Sequence, residues 1–277
     1  MEQIGDYMRK HTGILPRSSK TASESHSEII LRSSKTASGN LCVKKYECEV
    51  CRDAGFVHPR REDDSVDYRS IVPCKCKVEQ FEAEREQAML KFCQIPPGTG
   101  TWTFENFNVG NNESLTDAKA AAMQLADESG GTKWLTLVSK IDRGKSHLAI
   151  AVCRRWLARG KPARYALAPV LLDELRQGYN AEGDYKYDKW MSFLKNVPLL
   201  VIDDLGTEKP TAWALEKLMV IIDHRYVSGL PLMVTTNKSV NDLPGDDEGR
   251  IGSRLQREPF TRVVVIDAPE YRLRKVK

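Results

Sequence analysis

The sequence predicts an α/β protein with a doubly wound parallel sheet, preceded by a small cysteine-rich module. Three observations predict it. Apolar strands alternate with amphipathic helices after residue 97, one strand (Val-Pro-Leu-Leu-Val-Ile-Asp, 197–203) is apolar almost throughout, and six of the seven cysteines lie between residues 42 and 93. Alternating strands and helices are typical of a parallel sheet with helices on both faces. A continuously apolar strand is typical of one buried on both sides.

The bulk composition is that of an ordinary globular protein. The 277 residues, of which 41% are hydrophobic and 29% charged, suffice for one α/β domain plus a smaller module. The net charge of +4 permits a polyanionic partner without requiring one. Because no apolar run approaches the roughly 20 residues that span a bilayer, and no apolar signal segment opens the chain, we expect a cytoplasmic protein without a membrane partner.

The chain divides into three predicted segments. Residues 1–40 contain eight serines and carry Arg-Ser-Ser-Lys-Thr-Ala-Ser twice, at 17–23 and 32–38, which predicts a flexible arm. The role of the repeat stays open between a neutral tail and a functional peptide. Residues 41–94 form the cysteine module with a connecting helix. Pro96 and Pro97 end that helix, so the larger domain is expected at 95–277.

Periodicity predicts the elements in order. Apolar residues at helical spacing indicate helices near 78–92, 114–128, 147–160, 170–177, 185–194 and 212–227, and short apolar runs indicate strands at 134–138, 163–168, 197–203, 230–237 and 261–267. The third of these helices ends at Gly160, as helices commonly end at a glycine. Ligands of such sheets bind at the carboxyl ends of the strands, so functional residues are sought there.

The cysteines predict a structural zinc site. Cys48 and Cys51 form a Cys-x-x-Cys pair, and Cys74 and Cys76 form a Cys-x-Cys pair 22 residues further on. Four thiolates can surround one tetrahedral Zn²⁺ and leave no open position for catalysis. The alternative is a small helical cap with unligated thiols. Cys42 and Cys93 are either substitutes or bystanders.

A phosphate-binding turn is predicted between the first large-domain strand and its helix. Gly144, Lys145 and Ser146 stand where backbone amides, an ammonium group and a hydroxyl bind phosphate and Mg²⁺. The start of the motif departs from the pattern. Ser139 stands in place of its first glycine and is still predicted to bind nucleotide with the rest of the loop, and Asp142 puts a negative charge in the loop.

Paired acids follow the most apolar strand. Asp203 and Asp204 come at its end, where Asp203 can order Mg²⁺ through water and Asp204 can polarise an attacking water. Asn237 ends a later strand and can orient the same water. The alternative interpretation is that the acids cap the next helix and that Asn237 only ends its strand.

These motifs together resemble the DnaC and IstB group of AAA+ ATPases. The resemblance covers residues 95–272 and includes Thr-Phe-Glu-Asn-Phe (103–107), Gly-Lys-Ser-His-Leu-Ala (144–149), Leu-Leu-Val-Ile-Asp-Asp-Leu-Gly (199–206), Val-Thr-Thr-Asn (234–237), Gly-Arg-Ile-Gly-Ser-Arg-Leu (249–255) and Glu-Tyr-Arg (270–272). It implies that Lys145 and Ser146 bind phosphate and Mg²⁺, that Asp203 and Asp204 are the Walker B acids and that Asn237 is sensor 1. It also implies that Arg254 is an arginine finger completing a neighbour's site and Arg272 the sensor 2 arginine.

The resemblance implies an ATPase with ATP and Mg²⁺ as cofactors, and the cysteine pairs add Zn²⁺. The leading expectation is a DnaI-like loader that brings a replicative helicase to single-stranded DNA, with residues 168–198 as the DNA-contacting segment. An IstB-type helper with a transposase partner and a non-hydrolysing scaffold stay open as alternatives. A finger acting in a neighbouring subunit requires a head-to-tail oligomer.

Overall fold

The computed structural model describes residues 46–180, 184–206, 211–243 and 249–271. The predicted Ser-rich arm, residues 1–40, lies outside these ranges. The described chain forms two compact units, and the boundary between them falls in the sequence between Gln87 and Ala88. The sequence-based domain limits, 41–94 and 95–277, stay a prediction.

The first unit is built around the cysteine pairs. Strands β1 (Phe56–Val57) and β2 (Val72–Pro73) pair antiparallel, and a 3₁₀ turn (Lys75–Lys77) leads into helix α1 (Val78–Cys93). With two strands of two residues each, regular structure contributes little to this unit. A module of this size usually needs a metal or disulfides for stability.

The second unit contains a five-stranded sheet covered by helices. Its elements are α2 (Glu113–Asp127), β3 (Trp134–Val138), α3 (Lys145–Ala158), β4 (Ala163–Leu167), α4 (Ala168–Asn180), α5 (Asp184–Asn196), β5 (Leu199–Leu205), α6 (Ala212–Val227), β6 (Leu232–Thr236), α7 (Arg250–Leu255) and β7 (Thr261–Val265). The order of strands and helices agrees with the order that periodicity predicts, because the apolar runs and helical stripes are long enough to be unambiguous.

The sheet is parallel throughout, with strand order β4-β5-β6-β3-β7. Strand β3 precedes the phosphate loop and lies between β6 and β7, while β6 separates it from β5, which carries the acids. All five strands end at the same edge. The loop, the acids and the residues after β6 therefore meet at that edge, as parallel sheets require. The doubly wound α/β fold is confirmed.

A buried arginine joins the helices to the sheet. Arg225 of α6 is fully buried and donates to the carbonyl groups of Leu194, Val197 and Pro231, among others. These carbonyls lie at the end of α5 and the start of β6, where backbone acceptors would otherwise lack donors. Burial lowers the pKa of Arg225 to about 9, so the guanidinium stays charged at neutral pH.

Within the described ranges, none of the helices has both the length and the apolar character needed to cross a membrane. Two lysines of the segment that was expected to contact DNA are described. Lys189 is exposed and Lys195 half-buried, both on α5. Their role in DNA binding stays a prediction.

Candidate functional site

A cavity of about 710 Å³ opens at the carboxyl edge of the sheet. Three of its walls come from the phosphate loop, from the end of β5 and from the residue after β6. The lining residues include Lys145, Ser146, Asp204 and Asn237, which the sequence predicts as site residues, together with Trp102, Phe107, Asp142, Arg143, His147 and Tyr271. The volume is within the range of small-molecule sites.

The phosphate loop turns into helix α3 at a glycine that no other residue can replace without strain. Gly144 caps α3 with φ +92°, a backbone angle that side chains rarely allow. A Cβ atom there would lie 2.6 Å from Cε2 of Phe107. The phenyl ring therefore packs directly on the loop backbone and fixes the start of the helix.

Lys145 is the buried cation of the loop. Its ammonium donates to the carbonyl oxygens of Ser139 (2.9 Å) and Lys140 (3.0 Å) and to the Ser139 hydroxyl (3.2 Å). Burial lowers its pKa, and the negative charges of Asp204 and Asp203 oppose that shift. Because the three acceptors come from the loop itself, a bound phosphate must take their place.

Ser139 has a different position from that of the other loop residues. It is buried, and it is not among the residues that line the cavity. Its amide donates to the Thr236 carbonyl at 3.1 Å, which ties β3 to β6, and its hydroxyl contacts the ammonium of Lys145. Ser139 therefore supports Lys145, and contact with nucleotide stays a prediction for this residue.

The two acids face different surroundings. Asp203 is almost fully buried, and its carboxylate accepts from the Tyr165 hydroxyl at 2.6 Å and from the Thr235 hydroxyl. Asp204 lines the cavity, and its pKa is raised because burial and the charge of Asp203 disfavour its ionised form. The structure thus brings Asp204 together with Lys145, Ser146 and Asn237. It places Asp203 behind them.

Oxygen donors for Mg²⁺ are present at this edge of the sheet. The hydroxyl of Ser146 and the carboxylate of Asp204 line the cavity, and the Asp203 carboxylate lies next in the chain. Mg²⁺ prefers such hard oxygen ligands and keeps several of its waters. The donor set fits the ion, with Asp203 able to act through water.

An aromatic wall was not foreseen from the sequence. The ring of His147 stacks on Trp102 (centroids 5.6 Å apart, planes 4° apart) and meets Phe107 edge-on at 5.2 Å. Nε2 of His147 donates to the Thr103 carbonyl at 2.8 Å, and burial lowers the pKa of this imidazole, so that it is neutral. Phe107 belongs to the Thr-Phe-Glu-Asn-Phe motif of the family resemblance. That motif marks the segment as part of the family pattern, but it does not predict the aromatic contacts.

The two predicted arginine roles stay predictions. Arg254, on α7, pairs with Asp223 through Nε at 2.8 Å and lies over the ring of Tyr226 at 5.2 Å. It does not line the cavity of its own chain, which is compatible with a role in a neighbouring subunit. Arg272 lies outside the described residues, although Tyr271 before it donates its amide to the Asp142 carbonyl at 2.8 Å.

The four cysteines converge in the first unit. The Sγ atoms of Cys48, Cys51, Cys74 and Cys76 lie within 4.8 Å of one another. Two of the pairs, Cys48–Cys74 and Cys51–Cys76, are 3.8 and 3.5 Å apart. A tetrahedron with Zn–S bonds of about 2.3 Å has edges of about 3.8 Å. The sulfur positions therefore fit Zn²⁺.

Backbone hydrogen bonds shape both cysteine pairs. The amide of Arg52 donates to the Cys48 carbonyl at 2.8 Å, and the amide of Cys74 donates to the Gly55 carbonyl at 2.8 Å. The pKa of Cys48 is lowered to about 7, chiefly by a backbone hydrogen bond from Cys51. The pKa of Cys74 is raised by burial, and that of Cys76 is raised to about 12, chiefly by its hydrogen bond with Cys48. Metal ligation needs the thiolate, so these contacts favour the thiolate of Cys48 and oppose those of Cys74 and Cys76. Cys93 is buried outside the cluster.

The comparison with protein families decides the identity of the larger unit. A family model described as IstB-like ATP binding protein matches residues 79–244, which is more than half of the chain. The chain belongs to this IstB-like ATP-binding family. The matched residues include the phosphate loop, both acids and Asn237.

Three curated proteins are similar to this IstB-like chain. The replicative helicase loader DnaI of Bacillus subtilis (strain 168) is 23% identical over 62% of this chain and 54% of its own length. The replicative helicase loader DnaC of Escherichia coli (strain K12) is 28% identical over 58% of this chain and 67% of its own length. The putative ATP-binding protein Rv3427c in insertion sequence, of Mycobacterium tuberculosis, is 26% identical over 62% of this chain and 69% of its own length.

A solved structure of DnaI supports the fold. It matches with a TM-score of 0.54 at 20% identity, over 63% of this chain and 95% of that one. The AAA+ P-loop fold and the likeness to the DnaC and IstB group are confirmed. The aligned part spans only about half of the curated DnaI, 54% of its length.

Proposed function

We propose that this IstB-like protein is an ATP-dependent loader that brings a replicative helicase to single-stranded DNA. ATP binding is supported by one observation, the single cavity that Lys145, Ser146, Asp204 and Asn237 line together. Family membership supports ATP binding in general. Hydrolysis, its rate and the partners belong to the proposal.

In this proposal the cavity binds the triphosphate along the loop. The ammonium of Lys145 exchanges its loop acceptors for phosphate oxygens, and the Ser146 hydroxyl and, through water, Asp203 would hold Mg²⁺, which would neutralise charge on the phosphates. Asp204 accepts a proton from the attacking water, and Asn237 orients that water. Turnover is slow, because the output of such a switch is a change of assembly and not a product.

The helicase role rests on the relatives and on the cysteine module. DnaI and DnaC are both named replicative helicase loaders. The zinc-binding module would grip the helicase, and α4 and α5 would contact single-stranded DNA. Arg254 would leave Asp223 to enter the site of the next subunit in a head-to-tail oligomer, in which a guanidinium can stabilise transferred charge.

A second candidate function is supported by one relative. Rv3427c is named as an ATP-binding protein in an insertion sequence, so a transposase is the alternative partner. A scaffold that does not hydrolyse ATP is the third candidate, supported by Ser139 and Asp142 in place of loop glycines.

Nucleotide binding tests the first step. A fluorescent ATP analogue with Mg²⁺ is titrated against the full chain, Lys145→Ala and the control Lys140→Ala. Lys140 stands in the same loop, but its side chain is exposed and only its carbonyl contacts Lys145. We expect loss of binding in Lys145→Ala and near wild-type binding in Lys140→Ala. Absent binding by the wild type, or equal loss in both variants, contradicts the proposal.

Partner capture tests the second step. The full chain is immobilised and offered the hexameric replicative helicase and, separately, a transposase from the same organism, each with and without ATP and Mg²⁺. We expect nucleotide-dependent retention of the helicase alone. Retention of the transposase alone favours the insertion-sequence role, and ATP binding without turnover or partner favours the scaffold.

A further inference from the structure

The buried acid of the candidate site is held by two hydroxyl groups from neighbouring strands. Tyr165 of β4 donates to Oδ2 of Asp203 at 2.6 Å, and Thr235 of β6 donates to Oδ1. The same Thr235 oxygen accepts the amide N–H of Asp204 at 3.0 Å. One hydroxyl therefore contacts both acids, and a second fixes the other oxygen of Asp203.

The protons of this network can point only one way. An ionised carboxylate is an acceptor, so both hydroxyls must donate to Asp203. Thr235 has a single proton and donates it to Asp203, which leaves its lone pairs for the Asp204 amide. Tyr165 likewise has one hydroxyl proton and donates it to the other oxygen of Asp203. In these three hydrogen bonds the Tyr165 and Thr235 hydroxyls donate to the Asp203 carboxylate, and the Asp204 amide donates to the Thr235 hydroxyl.

The backbone at the second acid is strained, and Thr235 holds it. Asp204 has φ +57°, in the left-handed region that side chains enter at a cost. The pairing of β5 with β6 shifts register between Ile202 and Leu205, so both acids lie within this irregularity. The hydrogen bond from the Asp204 amide to Thr235 fixes the turn that puts Asp204 on the cavity wall while Asp203 stays buried.

Asp203 keeps capacity for a cation despite these bonds. A carboxylate offers about four lone-pair sites, of which Tyr165 and Thr235 occupy two. The carboxylate cannot rotate without breaking one of the two bonds. Its remaining sites are therefore held in one orientation before any cation binds.

We propose that Tyr165 and Thr235 are positioning residues that set how strongly Mg²⁺ binds with nucleotide, by fixing Asp203 in one orientation and Asp204 on the cavity wall. This inference rests on the proposed nucleotide site. Hydrogen bonds to metal-binding carboxylates commonly change metal affinity by roughly 10- to 100-fold. In the proposed site the phosphate loop binds nucleotide without Mg²⁺, so affinity in the absence of Mg²⁺ is expected to be independent of the two hydroxyls.

Three substitutions separate a positioning role from a structural one. Tyr165→Phe removes one hydroxyl and keeps the ring, and Thr235→Val removes the other and keeps the side-chain shape. Thr235→Ser keeps the hydroxyl and loses the methyl group. If these residues act through hydrogen bonds, only the variants without a hydroxyl lose Mg²⁺ affinity. If they act through packing, the loss depends on the change in side-chain shape.

The measurement is the Mg²⁺ concentration that gives half of the Mg²⁺-dependent gain in binding of the fluorescent ATP analogue to the full chain. We expect this midpoint to rise about tenfold in Tyr165→Phe and Thr235→Val and to stay within about twofold in Thr235→Ser. Affinity in buffer freed of divalent cations should not change in any variant.

The outcomes distinguish this inference from the proposed function. Wild-type midpoints in Tyr165→Phe and Thr235→Val overturn the inference, as does a serine variant that loses as much as the valine variant. Equal losses with and without Mg²⁺ also overturn it, because they indicate a general packing defect. If the wild-type chain binds no analogue under either condition, the proposed function itself fails and the inference fails with it.

Discussion

Replacing Gly144 by alanine tests whether the phenyl ring of Phe107 fixes the phosphate loop. Gly144 has φ +92°, and its absent Cβ would lie 2.6 Å from Cε2 and 3.1 Å from Cζ of that ring. Carbon atoms in good contact are about 3.5–4.0 Å apart. The ring or the loop must therefore move by about 1 Å when the methyl group is added.

Two effects add to give the expected loss of stability. A left-handed backbone costs about 1–2 kcal/mol for an L-residue, and forcing a methyl group into a packed site costs about 1–3 kcal/mol. Gly144→Ala should therefore lower the free energy of unfolding by about 2–5 kcal/mol. Gly131→Ala is the matched control, since it has φ +81° with no atom within 4 Å of its Cβ position, and should lose only the backbone part.

Urea unfolding followed by tryptophan fluorescence measures both variants. All five tryptophans lie after residue 88, so the signal reports the larger unit. Phe107→Ala is then combined with each glycine variant. We expect a coupling of about 1–3 kcal/mol with Gly144→Ala and none with Gly131→Ala. Equal losses in the two glycine variants, or no coupling at Gly144, would refute the proposed contact.

Three further predictions concern the acids, the finger and the metal. Asp204→Asn should abolish ATP hydrolysis while analogue binding persists. Because burial and the charge of Asp203 raise the pKa of Asp204, wild-type hydrolysis should fall with decreasing pH at a higher pH than the ordinary aspartate value of about 3.9, and a pH–rate profile checks this. Arg254→Ala should lower hydrolysis at least tenfold. It should change the free energy of unfolding by at most about 1 kcal/mol, since its ion pair with Asp223 is partly exposed. Unchanged hydrolysis would contradict the arginine-finger role. Cys51→Ser should reduce bound zinc, measured by elemental analysis, from about one ion per chain to nearly none. It should also expose residues 46–87 to protease, with the cleavage sites identified by mass spectrometry, and leave tryptophan fluorescence unchanged.

Most of the fold could be predicted from local sequence patterns. Leu199 to Ile202 of β5 are fully buried; because both faces of this part of the strand are covered, its residues are all apolar and easy to recognise. The glycine before Lys145 and the acids after Ile202 were found because parallel strands end at one edge. Spacing of the cysteine pairs likewise anticipated their convergence, because short spacers constrain where two sulfurs can lie.

Contacts between distant segments could not be predicted from local sequence patterns. Tyr165 and Asp203 are 38 residues apart, and Arg254 and Asp223 are 31 apart. Neither pair has a spacing that marks it in a sequence. The burial of Asp203 behind Asp204 depends on an irregular register between β5 and β6, which a count of alternating residues cannot show. Such register shifts decide which of two adjacent acids meets a ligand.

The place of β3 in the sheet has a consequence for how the chain is made. Residues 134–138 pair with residues 232–236 and 261–265, so both neighbours of this strand leave the ribosome about a hundred residues after it. At a synthesis rate of about 5–20 residues per second, the apolar strand that precedes the phosphate loop waits for roughly 5 to 25 seconds without a partner. During that interval the nascent chain exposes an unpaired hydrophobic strand. We expect chaperones to bind ribosome-bound chains that are halted after residues 134–138 have left the ribosome and before residue 232 has been made.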